Sequence, residues 1–161
     1  MIGHAATLLG TTAMDLLCAA QTVIDLLPET IDGELVRCHE VARVVAEALS
    51  YPERAKSGRF DELVVVDGKF GVHDHSWIQT NRDDGPGYLI LDPYAVGRIP
   101  MVQVLDLGVM TLPYRRESAC DRCGAPNPWL YREGPARDDV RHETIAALRS
   151  YLTWFKPKGC V

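Results

Sequence analysis

A second cysteine pair, an excess of basic residues and an unbroken apolar run are all missing from this chain of 161 residues, and each absence removes a class of function. The five cysteines are an odd count at spacings that suggest no disulfide framework, which fits a reducing compartment. The net charge of -5 argues against general affinity for nucleic acid or an anionic membrane, since both attract cations. The apolar stretch at residues 5–20 has no positive charge before it and is interrupted by Asp15, so it reads as neither secretory signal nor membrane span. The expectation is a soluble, cytoplasmic chain, with export by a signal-independent route left open. Internal repeats, low-complexity tracts and linkers are also missing. With 47% hydrophobic residues the chain can bury one sizeable core, so residues 1–161 are expected to form a single domain.

What is present is an α+β pattern. Thr11 or Thr12 can cap a helix whose apolar residues Met14, Leu17, Cys18, Val23, Ile24 and Leu27 recur at helical spacing until Pro28. After the turn PETIDG, a second helix carries Cys38, Val41, Ala42, Val45 and Leu49 on one face. Asp67-Gly68 is a two-residue hairpin signal between a strand over 63–66 and a longer strand reaching Thr80. NRDDGPG is the next turn and YLILDPY the third strand, followed by one or two short strands before Pro113. The segment ESACDRCGAPNPWLYREGP reads as a polar loop, and residues 136–155 as a last helix with Val140, Ile145, Leu148, Leu152 and Phe155 as its apolar stripe. The expected architecture is two N-terminal helices on an antiparallel sheet of about five strands, closed by a C-terminal helix. Charge is uneven along it. Residues 1–108 carry 8 Lys/Arg against 16 Asp/Glu, and residues 109–161 carry 9 against 6, giving -8 and +3. A basic end could steer an acidic partner, and a solvated helix face is the commoner explanation.

Chemistry concentrates on three residues taken in order. Cys38 lies near the start of the second helix, His75 in HDHSWIQT and Asp92 in YLILDPYA. A free thiol is mostly protonated near neutrality, and a helix N-terminus with a neighbouring imidazolium favours the thiolate. A carboxylate on the far side of the imidazole then fixes its tautomer and orientation. Strand alternation puts His73, His75, Trp77 and Gln79 on one face and Asp74, Ser76 and Ile78 on the other. Asp92 can face His75 across a ladder. As a residue before Pro93, Asp92 also reads as the end of a strand entering a turn. Cys38 on an apolar face also suits an inert core thiol. His39 points elsewhere on its helix and is read as a surface or supporting residue.

HSWIQT, a turn and YLILDPY resemble the transglutaminase-like superfamily of papain-type folds, over roughly residues 36–95. The resemblance implies Cys38 as nucleophile, His75 as base, Trp77 as the aromatic two residues on, and Asp92-Pro93 as the orienting acid. It further implies acyl transfer from a Gln side chain or peptide amide through a Cys38 thioester, as transglutaminase, deamidase or peptidase. The backbone N–H of Cys38 is one oxyanion donor in this reading, with Gln79 and Gln21 open as the second. The substrate would be a protein or peptide, selected by loops such as 81–87 and 112–135, and no cofactor is required. The sequence departs from that family's pattern at His39, where many members carry an aromatic, and in the link SYPERAKSGRFDE. The choice among transglutaminase, deamidase and peptidase stays open.

Three other readings compete. Cys120 and Cys123 form half of a zinc site, with only Cys160 and His142 near in sequence to complete it, and a loop with two free thiols is the plainer expectation. His73, His75 and Asp92 could hold a metal for a hydrolase, although HDHS lacks the further Asp-His expected of that strand motif. A non-catalytic interaction module of the same fold is the third.

Overall fold

Apolar spacing decides the first helix and Pro28 its end. The computed structural model describes residues 11–50, 63–81, 88–96, 99–105 and 130–152. Helix α1 spans Thr11–Leu26. It buries Leu16, Ala19, Ala20, Val23 and Ile24, with Leu27 just beyond, all within one helical stripe. The expected stripe included Leu17 and Cys18; both are only half-buried, and Ala19 and Ala20 are buried instead. A hairpin of β1 (Thr30–Ile31) and β2 (Glu34–Leu35) follows. It turns at Asp32 (φ 51°) and Gly33 (φ 82°), a left-handed pair that Asp and Gly tolerate.

Helix α2 (Cys38–Leu49) is buried on most of its surface, from His39 through Val45 to Leu49 except at Arg43 and Glu47. It packs against α1, against the sheet, and against α3 (His142–Ser150). Its apolar residues join those of α1 and α3 with Ile78, Leu89 and Leu91 in the main core. The sheet is antiparallel throughout, built from β3 (Val64–Phe70), β4 (His73–Asn81), β5 (Tyr88–Val96), β6 (Ile99–Leu105) and β7 (Tyr131–Glu133) in the order β6-β5-β4-β3-β7. Val66, Trp77, Ile90 and Tyr131 make a smaller cluster on the sheet face opposite Ile78. Among the described residues the molecule is thus α+β, with three helices and antiparallel sheets, as the periodicities implied.

Three expectations are corrected. The β3–β4 hairpin does not turn at Asp67-Gly68: the ladder runs on to Phe70↔His73 and the chain reverses at Gly71, whose φ is 61°. Gly68 is a glycine because of close approach. A Cβ there would collide with the Arg132 carbonyl oxygen of β7 and come within 2.9 Å of Trp77 Cη2. The last helix begins at His142, not near 136, and ends at Ser150. Residues 134–141 are irregular, with a bend at Asp138, and Arg141 before the helix is extended (φ -81°, ψ 99°), its N–H groups bound to Glu40, Glu34 and the Leu35 carbonyl. The segment read as a polar loop contributes β7, which pairs with β3 from Gly68↔Glu133 to Phe70↔Tyr131. Residues 82–87 of the NRDDGPG turn, Phe155, and the cysteines at 120, 123 and 160 lie outside the described residues. Among the described residues no helix is long and apolar enough to cross a membrane.

Candidate functional site

A buried carboxylate fixes the head of α2 and so the position of Cys38. Glu40, third residue of the helix and fully buried, accepts from the Arg37 backbone N–H at 3.1 Å, satisfying one of the free amides at the helix start. The same carboxylate receives the guanidinium of Arg37 at 2.6 Å and that of Arg141 at 3.3 Å, and the Arg141 backbone N–H at 3.1 Å. Burial pushes the Glu40 carboxyl up, but the two guanidinium groups outweigh it and bring it down to about 2. The first turn of α2 is therefore tied to the strand-like segment before α3.

His75 and Asp92 come from neighbouring strands, at the point where those strands part. The β4–β5 ladder runs from Asn81↔Tyr88 to Ile78↔Leu91 and stops there; Pro93 has no N–H to continue it, and β5 is irregular between Asp92 and Val96. Asp92 is 1% exposed, and both its oxygens are engaged. Oδ1 accepts from the Tyr94 backbone N–H at 2.9 Å. Oδ2 meets His75 Nε2 at 2.6 Å and accepts from the Tyr131 hydroxyl at 2.6 Å. Asp92 is thus a turn residue through one oxygen and an imidazole partner through the other. With Nε2–H committed to Asp92, Nδ1 is the nitrogen of His75 left to exchange a proton. Phe70, Trp77 and Tyr131 surround the imidazole, their rings centred 5.9, 6.4 and 6.2 Å from it.

Cys38 is half-buried. Burial pushes its thiol up, but hydrogen bonding to His39 and to His75, with the charges of both, brings it down to about 6. For His75 burial works downward, and hydrogen bonding to Asp92 and Cys38 raises it to about 9. Between those values the arrangement is a thiolate beside an imidazolium. Burial and the Asp92 charge push the Tyr131 phenol well above its ordinary value, so it remains a donor to Asp92.

His39 corrects the reading of it as a surface residue. It is 5% exposed, its Nδ1 lies 2.8 Å from Ser76 Oγ, and its ring nitrogens are 3.7 and 3.9 Å from Cys38 Sγ. Ser76 Oγ donates in turn to Asp67, whose other oxygen takes Arg43 at 2.7 Å and the Arg137 backbone N–H at 3.0 Å. Burial pushes the Asp67 carboxyl up, and Arg43 with Ser76 and Arg137 holds it below the usual range.

The structure therefore brings Cys38, His75 and Asp92 into one constellation and adds Tyr131 and His39 to it. Sequence reasoning missed Tyr131, which stood in a segment read as loop, and the Asp67–Ser76–His39 line. The line was legible only with the hairpin turn placed at Gly71, which sets Asp67 opposite Ser76. Of the two glutamines offered as second oxyanion donor, Gln79 accepts from Trp77 at its side-chain oxygen at 2.9 Å, which leaves its NH2 group to donate, and the Gln21 amide gives one N–H to Asp25 at 2.8 Å. His73 is exposed, and among the described residues no group of three His, Cys, Asp or Glu side chains could hold a metal ion, the set His73, His75 and Asp92 included. A cavity of about 700 Å³ is lined by Gly68, Asp74, Arg132, Gly134, Arg137 and Asp139 among others, and none of Cys38, His39, His75 and Asp92 lines it. It reaches Asp74, the neighbour of His75, and Asp139, which is bound to Arg37 at the head of α2. Comparison with protein-family models, with curated proteins and with solved structures gives no match to this chain.

Proposed function

We propose that the protein is a cysteine-dependent acyltransferase or hydrolase of the transglutaminase-like, papain-type kind, acting on a Gln side chain or peptide amide. Cys38 is the nucleophile, His75 the base and acid, and Asp92 the orienting carboxylate. The observation that carries the reading is the 2.6 Å contact of His75 Nε2 with a buried Asp92, on strands adjacent to a helix whose first residue is an acidified thiol. A helix N-terminus and an imidazolium both favour the thiolate.

In the first half-reaction Cys38 Sγ adds to the amide carbonyl carbon. The C–N bond breaks with its electron pair on nitrogen, and the His75 Nδ1–H protonates the leaving amine or ammonia. Water or an amine then resolves the thioester. The backbone N–H of Cys38 at the head of α2 is offered to the oxyanion.

Incubating the protein with Gln-containing peptides, with and without a primary amine, tests this. Ammonia release together with a mass change at Gln, or peptide-bond cleavage, is expected from the native chain and lost in Cys38→Ala. Activity persisting in Cys38→Ala would defeat the proposal.

A further inference from the structure

Cys38 Sγ lies beside two imidazoles, and each has a carboxylate behind it. His75 is backed by Asp92 directly, and His39 by Asp67 through Ser76. The hydrogen bonds fix opposite tautomers. Ser76 gives its only proton to Asp67, so its oxygen can only accept from His39, and His39 Nδ1 carries a hydrogen in every protonation state. The proton that His39 can gain or lose is then the one on Nε2, 3.9 Å from the sulfur. Packing alone does not account for this. A buried histidine satisfied by one serine needs neither a carboxylate behind that serine nor Arg43 and the Arg137 N–H to hold that carboxylate.

We propose that His39 is a second acid–base residue of the Cys38 site, working at Nε2 on the nucleophile that resolves the thioester while His75 serves the leaving amine. This rests on Cys38 being the nucleophile. Once His75 has protonated the departing nitrogen, it is neutral. Water or an amine adds to the thioester carbonyl and passes its proton to His39 Nε2. The C–S bond breaks, and its electron pair returns to Sγ. The His39 proton then moves to Sγ, and a proton from Sγ to His75 Nδ1, restoring the thiolate with His75 as imidazolium. The charged and titratable groups around the pair are Arg43 of α2, Asp67 of β3, His75 of β4, Asp92 of β5 and Tyr131 of β7.

The test reads the sulfur rather than turnover. Iodoacetamide labelling of Cys38 in the folded protein is followed by mass spectrometry across a pH series for the native chain, His39→Gln, His75→Gln and the double variant. Where His39 carries both ring protons its Nε2–H faces the sulfur, so each single variant is expected to move the labelling midpoint up by about one pH unit, slowing labelling roughly tenfold at about pH 5, and the double variant to move it further than either. Ser76→Ala, which keeps His39 but cuts the relay, is expected to shift the midpoint the same way, and Ser76→Thr to restore it. A native midpoint below the ordinary thiol range that is unchanged in His39→Gln and Ser76→Ala overturns the second imidazole and leaves the nucleophile standing. A native midpoint in the ordinary thiol range, about 8.5, removes the nucleophile itself. Should His39→Gln fail to fold, the Ser76 pair decides alone.

Discussion

At the scale of single residues, Asp92 shows how one carboxylate serves two purposes that a sequence offers as alternatives. Oδ1 holds the Tyr94 N–H and Oδ2 holds His75 and Tyr131. Asp92→Asn keeps the first bond with its carbonyl oxygen, which leaves an NH2 group facing His75. The imidazole must then accept at Nε2 and carry its proton on Nδ1, toward the sulfur, the wrong tautomer for a base. Turnover is expected to fall about 10³–10⁴-fold with the thermal midpoint nearly unchanged. Equal turnover in the two proteins would leave Asp92 as a turn residue only. The pH dependence belongs to the same scale. The reactive form needs an ionised thiol, gained as pH rises through about 6, and a protonated imidazole, lost as pH rises through about 9. kcat/KM is therefore expected to be bell-shaped, its two limbs belonging to the Cys38–His75 pair jointly. A rate still rising above pH 9 would contradict the thiolate–imidazolium pair.

At the scale of elements, what was legible followed from local rules and what was missed followed from partners distant in sequence. The end of α1, the start of α2 near Cys38, the end of β4 and the start of β5 followed from Pro28, apolar spacing and alternation, and so did the face shared by His75 and Trp77. The turn was misplaced because Asp67-Gly68 satisfies hairpin chemistry locally. The reason for that glycine is the Arg132 carbonyl, in a strand 64 residues further along the chain. His39 could not be placed, because helical spacing tells which residues share a face but not that a serine of β4 awaits one of them. Gly68→Ala tests this account of the sheet. Its Cβ would push β7 away and with it Tyr131, so a loss of about 1–3 kcal/mol is expected in denaturant unfolding. The shared edge of β3 and β7 should also lose amide protection in hydrogen exchange. An unperturbed β7 in Gly68→Ala would show that the close approach is not needed.

At the scale of the whole molecule, the placement of the proposed nucleophile depends on residues a hundred positions away. Glu40 gathers Arg37 from its own turn and Arg141 from the segment leading into α3, and Arg141 also reaches Glu34 and the Leu35 carbonyl in the hairpin before α2. One buried carboxylate thus joins β2, α2 and α3. Replacing it by Gln leaves two guanidinium groups short of a counter-charge at a buried point, and breaking such a pair costs about 3 kcal/mol. Glu40→Gln should therefore lower the thermal midpoint by roughly 6–12 °C near neutral pH. The pH dependence of that loss identifies its cause. The Glu40 carboxyl is held at about 2 against an ordinary 4.5, so its contribution is complete above about pH 4.5 and disappears as pH falls through about 2. Native and variant stabilities, measured by urea unfolding from pH 7 downward, are expected to stay parallel to about pH 4.5 and to converge below it. A difference that persisted unchanged at pH 2 would mean that the side chain's shape, and not its charge, holds α2 to the rest of the fold.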